Sequence, residues 1–189
     1  MVQAPAKPIT LDAFLAQPET KPATECIDGQ IIQKPIPQGK HSTIQRDLTL
    51  AIEMVLKPQA AGRAFPELRC TFGNRSIVPD VAVFKQGNIP REPDGTIANQ
   101  FLMPPDWVIE ILSPDQSQTK VTKKLLHCLA HGSEMGWLID PDEQTVFVYD
   151  VDFSVQVFDM DTSEKTLPVP AFATGVKLTI EDMVNWLLA

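Results

Sequence analysis

The sequence predicts a single domain in which helices bracket a mixed β-sheet, an α/β or α+β arrangement. Three observations carry this. The runs VPDVAVF (78–84) and WVIEILSP (107–114) read as buried strands. The segments 41–56 and 118–131 repeat apolar residues at helical spacing. At 189 residues and 43% apolar, with no run of 18 apolar positions, the chain can bury one core and offers no membrane span.

Along the chain, Thr10 is placed to cap a short helix, TLDAFLAQ, whose Asp12 favours the positive helix start. TECIDGQIIQK reads as a hairpin, because Asp28-Gly29 tolerates the positive φ of a two-residue turn. Ile44, Leu48, Ala51, Ile52 and Val55 then mark the first long amphipathic helix. Strands are expected at about 65–72 and 77–84, followed by KQGNIPREPDGTIANQFLMPP, too rich in Pro, Gly and Asn for a regular element. A loop of that length is commonly functional or mobile. Strand 107–112 stops at Ser113-Pro114, and SQTKVTKKLLHCLAHG is a helix closed by Gly132. MGWLIDP is a strand, TVFVYD and VQVFD pair as a hairpin, and in TIEDMVNWLL Thr179 and Asp182 have capping-box spacing. The expected layout is one domain over 1–189, with a core of about 11–158 and a C-terminal strand and helix in 159–189.

Cys26, Cys70 and Cys128 are odd in number and lack CxxC spacing, which argues against a disulfide framework or a thiolate zinc site. The N-terminus has no apolar stretch of signal-peptide length, so a cytoplasmic location is expected. The net charge of −8 is unevenly spread: Lys34 to Arg75 holds seven basic and three acidic residues, whereas Asp140 to Glu164 holds eight acidic and no basic ones. A basic first half with a separate acidic edge permits nucleic-acid binding, and an ordinary mixed surface is at least as good a reading of charge alone.

The informative feature is a pair of carboxylates inside apolar runs. Side chains alternate along a strand, so Trp107, Ile109 and Ile111 share one face and Val108, Glu110 and Leu112 the other; the same count sets Asp80 between Val78 and Ala82. A buried carboxylate must be protonated, paired or bound to a metal. Two of them on either side of one loop point to a hard cation such as Mg²⁺, which takes carboxylate oxygens and keeps its waters. On the 118–131 helix, Lys124 falls on the Val121-Leu125-Cys128-Leu129 stripe, Lys123 lies opposite, and Lys120 is intermediate. A lysine held beside such a site could stabilise charge on a phosphate under attack.

Glu25 in ECIDGQII, Gly39 and His41 in QGKHSTI, Pro79-Asp80, Glu110 in VIEILSP and Lys124 in KKLLHCLAHGSEMGWLIDP occur in an order that resembles the Uma-type restriction endonucleases of the PD-(D/E)XK nuclease-like superfamily. The resemblance spans about Leu11 to Phe158. It implies the α/β restriction-endonuclease-like fold and a Mg²⁺-dependent (Mn²⁺ as alternative) phosphodiesterase, with Asp80 and Glu110 as metal ligands and catalytic residues and a lysine assisting the nucleophilic water. The superfamily lysine stands two residues after the acid, where this chain has Leu112; related members carry it on the following helix, as Lys124 is. Glu25 and His41 match an additional acidic residue and a histidine near the site. The expected activity is endonucleolytic hydrolysis of nucleic acid, foremost DNA, possible as a homodimer. The alternatives are a catalytically inactive nucleic-acid-binding module and a protein-interaction module working through the acidic hairpin.

Overall fold

The computed structural model describes residues 8–114 and 116–188. Helix α1 (Leu11–Leu15) starts where Thr10 Oγ1 accepts the Ala13 N–H at 3.2 Å. Strands β1 (Thr24–Ile27) and β2 (Gln30–Gln33) are joined by Asp28 and Gly29, whose φ values of 53° and 76° are those a tight two-residue hairpin turn requires. Helix α2 (Gly39–Leu56) buries His41, Ile44, Leu48, Ile52 and Leu56 on one face. Then follow β3 (Gly62–Pro66), β4 (Cys70–Phe72), β5 (Arg75–Ile77), β6 (Val81–Lys85) and β7 (Trp107–Ile111). Helix α3 (Gln118–Ala130) leads into β8 (Met135–Asp140), β9 (Thr145–Asp150) and β10 (Val155–Phe158), and α4 (Ile180–Leu188) follows. No described helix is long and apolar enough to cross a membrane.

Six strands form the main sheet in the order β10-β9-β8-β7-β6-β3, and a smaller sheet has the order β2-β1-β5-β4. Within the main sheet only β7 and β8 are parallel, and α3 makes the crossover between them. Because β7 alternates, it feeds a core on each face. Trp107, Ile109 and Ile111 pack with Ile44, Leu48 and Ile52 of α2 and with Ile180 and Met183 of α4. Val108 and Leu112 pack with Val121, Leu125 and Cys128 of α3 and with Cys70 and Ile77 of the small sheet. Each such fully buried side chain contributes about 1.5–3 kcal/mol relative to exposure. Glu110 faces the second core, beneath α3.

The structure departs from the sequence reading in three places. The strand expected at 65–72 is two strands in different sheets: Glu67, at φ 48°, turns the chain out of β3, and Gly73-Asn74, at φ 53° and 59°, folds β4 onto β5. Asp80 is not inside a strand but immediately precedes β6. Pro79 has no N–H to donate to a ladder, so regular pairing resumes only after it. Lastly, no strand occurs among described residues 159–188. Short 3₁₀ turns at Met160–Thr162 and Ala171–Ala173 fill this segment, and Leu167, Ala173, Val176 and Leu178 close the α2 core. The Thr179–Asp182 capping box at α4 forms reciprocally, with Thr179 N–H to Asp182 Oδ2 at 2.9 Å and Asp182 N–H to Thr179 Oγ1 at 3.1 Å.

The long 86–106 connection is a packed cover. Phe101 lies against Phe65 and Phe84, and the Asp106 carboxylate accepts the Lys85 N–H at 2.8 Å and the Asn88 amide at 2.7 Å.

Candidate active site

The antiparallel register of β6 and β7 pairs Val81 with Ile109. Extended by one residue, it sets Asp80 beside Glu110. The Ile111 N–H donates to Asp80 Oδ2 at 2.7 Å, which ties the aspartate to the strand that carries the glutamate. From the other side α2 holds the same residue twice, one turn apart: His41 Nε2 lies 3.2 Å from Asp80 Oδ2, and Gln45 Nε2 donates to the Asp80 carbonyl at 2.8 Å.

Like charges facing each other across two strands repel unless cations intervene. Two lysines do so. Lys124 Nζ, near the middle of α3, lies 2.8 Å from Glu110 Oε1 and 3.0 Å from Glu25 Oε1. Glu25, on β1, is itself held by the Val78 N–H at 2.8 Å. Lys34, just past the end of β2, donates to Asp80 Oδ1 at 2.6 Å and to the Val78 carbonyl at 2.7 Å. All six side chains are buried, none more than 9% exposed. The structure thus brings together the five residues singled out in the sequence, Glu25, His41, Asp80, Glu110 and Lys124. Lys123 is exposed on the far side of α3 and Lys120 is exposed one turn earlier. Lys34 was missed as a site residue, because a lysine after a four-residue strand carries no periodic signal of burial.

The electrostatics separate the two carboxyls. Burial pushes Asp80 upward, but the Lys34 charge, the His41 hydrogen bond and Lys124 outweigh it and hold this carboxyl below the usual range. For Glu110 burial wins: despite Lys124, it is pushed up to about 7, with Asp80 and Glu25 adding to the rise. Burial alone would lower Lys124, yet Glu110, Glu25 and Asp80 raise it, so it stays an ammonium.

A divalent cation fits this donor set. Glu110 Oε2 is buried and accepts no hydrogen bond from any described residue, and it stands beside the second carboxylate, Asp80. Among the described residues no group of three or more His, Cys, Asp and Glu side chains is arranged around one ion position. Mg²⁺ commonly takes only one or two carboxylates and keeps several waters, so the pair suffices chemically. A cleft of about 300 Å³ opens beside Glu25, Lys34 and Lys124, bounded by Gln33, Ser117 and Lys120. A second of about 320 Å³ opens beside His41 and Leu112. Residues 86–106 line neither cleft.

Most of the basic segment is engaged in ion pairs, with exposed Lys57 the exception among the described residues. Lys34 is buried on Asp80, and ion pairs engage Lys40 with Asp142, Arg46 with Asp47, Arg63 with Glu53, Arg69 with Glu19 and Arg75 with Asp28. The local excess of positive charge is largely consumed by acids from elsewhere in the chain.

A mixed sheet flanked by helices, with an acid pair at the β6–β7 junction and a lysine on the crossover helix, defines the restriction-endonuclease-like α/β class. The chain belongs to the Uma2 family, described as "Putative restriction endonuclease", which matches residues 11–181. No curated protein matches the sequence. Among solved structures it is similar to "a putative nuclease belonging to DUF820" from Anabaena variabilis, at 62% identity over 95% of this chain and 99% of that one, with a TM-score of 0.92.

Proposed function

We propose that this protein is a divalent-metal-dependent endonuclease that hydrolyses phosphodiester bonds of nucleic acid, foremost DNA. The observation that carries the reading is the Ile111 N–H to Asp80 Oδ2 bond of 2.7 Å, which locks Asp80 beside Glu110 with Lys124 in reach of the glutamate. The family, described as "Putative restriction endonuclease", and the solved neighbour, described as "a putative nuclease", support it.

In this reading Asp80 and Glu110 hold Mg²⁺ or Mn²⁺. When bound, the ion supplies Lewis-acid polarisation of the phosphoryl group and neutralises its charge. His41 and the Ile111 N–H fix Asp80, so the carboxylate need not reorganise during the reaction. Lys124, held by Glu25 and Glu110, keeps a preorganised ammonium where charge develops as water attacks phosphorus and the 3′ oxygen leaves. Cutting both strands of a duplex calls for two such sites, which favours a homodimer acting on cytoplasmic DNA.

The test is incubation of purified protein with plasmid and with single-stranded DNA, first with Mg²⁺ or Mn²⁺ and then with excess chelator. Cleavage should require the metal and disappear in Asp80→Asn and Glu110→Gln. Cutting that survives the chelator, or persists at full rate in both variants, would show that the chemistry lies elsewhere.

A further inference from the structure

Lys34 is the cation of the site that the acid–lysine pattern does not contain. Its backbone N–H is anchored to the Ala23 carbonyl at 2.9 Å, while its ammonium reaches Asp80 Oδ1 at 2.6 Å. The other carboxylate oxygen, Oδ2, is taken by the Ile111 N–H and His41. Oδ1 is therefore the Asp80 oxygen with a lone pair left for an incoming cation, and the Lys34 ammonium already sits on it. An ammonium and a divalent ion competing for one buried oxygen repel strongly, because little solvent screens them.

The two lysines differ in what could move. Lys124 is held between Glu25 and Glu110 near the middle of a helix. Lys34 stands past the end of a strand, on a four-carbon stem with freely rotating donors, and lines the cleft of about 300 Å³ that also contains Gln33, Ser117 and Lys120. The cleft gives its ammonium somewhere to go.

We infer that Lys34 is a displaceable counter-cation: it neutralises Asp80 in the metal-free protein and, once a divalent ion takes Oδ1, turns into the cleft and binds a substrate phosphate. This rests on the reading of Asp80 and Glu110 as metal ligands. Metal affinity in the free protein is then held down by the lysine and restored by a phosphate that captures it. By linkage the metal strengthens phosphate binding to the same degree.

The test is calorimetric titration of Mn²⁺ into wild type, Lys34→Met and Asp80→Asn, with and without thymidine 3′,5′-bisphosphate. Lys34→Met should bind Mn²⁺ on the order of 10-fold more tightly than wild type, and the bisphosphate should tighten Mn²⁺ binding in wild type but much less in Lys34→Met. Equal or weaker Mn²⁺ binding by Lys34→Met, with binding still lost in Asp80→Asn, overturns the role of Lys34 and leaves the metal site standing. Mn²⁺ binding that is unchanged in Asp80→Asn overturns both. Should Lys34→Met fail to fold, amine acetylation of wild type read by mass spectrometry decides the matter. Lys34 should be protected without Mn²⁺ and become reactive at saturating Mn²⁺, while Lys124 stays protected and Lys123 reactive throughout. Lys34 remaining as protected as Lys124 at saturation overturns the proposal.

Discussion

Asp80 and Glu110 stand side by side at the junction of β6 and β7, and their surroundings drive their acidities in opposite directions. Asp80 receives the Lys34 ammonium at 2.6 Å, the Ile111 N–H at 2.7 Å and His41 at 3.2 Å. Glu110 has one close cation, Lys124, and an Oε2 with no described partner. One carboxyl is therefore held below the usual range and the other pushed up to about 7. Environments that push two neighbouring carboxyls apart in acidity recur in acid–base sites.

The two isosteric substitutions should consequently differ in stability. Asp80→Asn leaves Lys34 buried without its anion and should destabilise by about 3–5 kcal/mol. Glu110→Gln removes a carboxylate whose charge is disfavoured by burial and should be neutral to stabilising at pH 8, by ~1–3 kcal/mol.

The pH dependence follows the same signs. Glu110 is raised in the folded state from 4.5 to about 7, so the metal-free protein should lose stability as pH rises through that window, and Glu110→Gln should abolish the loss. Asp80 is lowered, so its contribution should be present above its unfolded value of 3.8 and fade as pH falls below it. Urea denaturation checks this: the Glu110→Gln shift should differ between pH 5 and pH 8, whereas Asp80→Asn should shift stability equally at both and by less below pH 3.8; a Glu110→Gln shift that is the same at pH 5 and pH 8 would contradict the environment assigned to Glu110.

Lys124 and Lys123 are neighbours in sequence about 100° apart on the helix, one buried on two carboxylates and the other exposed. Lys124→Ala should slow metal-dependent cleavage by a factor on the order of 10² or more, the cost of losing one preorganised donor. Lys123→Ala should leave the rate nearly unchanged. Single-turnover kinetics would decide, and equal losses would reduce the lysines to a common phosphate patch.

Salt dependence should expose which cations meet the substrate. Arg63 donates to both oxygens of Glu53 at 3.0 Å and Arg69 pairs with Glu19 at 2.7 Å, so these two are expected to serve structure. Neutralising exposed Lys120 beside the cleft should reduce the log–log salt slope of DNA binding by about one unit, while Arg63→Gln should leave the slope alone. Fluorescence anisotropy across a salt series distinguishes them; a slope moved by Arg63→Gln and not by Lys120→Gln would put the docking face elsewhere.

Cys26, Cys70 and Cys128 are all buried, with burial pushing the Cys70 thiol up to about 12 and Cys128 well above its ordinary value. Native protein should show no fast-reacting thiol toward an aromatic disulfide reagent, and all three should react on unfolding. One rapidly titrating thiol in the native state would place a cysteine at the surface.

What the sequence determined by itself is what short-range periodicity can encode. The stripes of α2 and α3, the Asp28-Gly29 turn, the Thr179–Asp182 cap and the opposite faces of β7 all follow from side-chain direction along a helix or strand. That geometry is enough to bury Glu110 and Lys124 and to expose Lys123. Tertiary structure decided the partners. Lys34 meets Asp80 across 46 residues and Lys124 meets Glu25 across 99, and no local pattern distinguishes Lys34 from a solvated strand-end lysine. The division of 65–72 between two sheets turned on a positive φ at Glu67, which a sheet register can impose and a propensity cannot foresee. Most of the apparent basic excess is neutralised for the same reason. Charge along a chain is a local sum, whereas its neutralisation by Glu19 or Asp142 depends on which distant segments the topology brings within ion-pair distance.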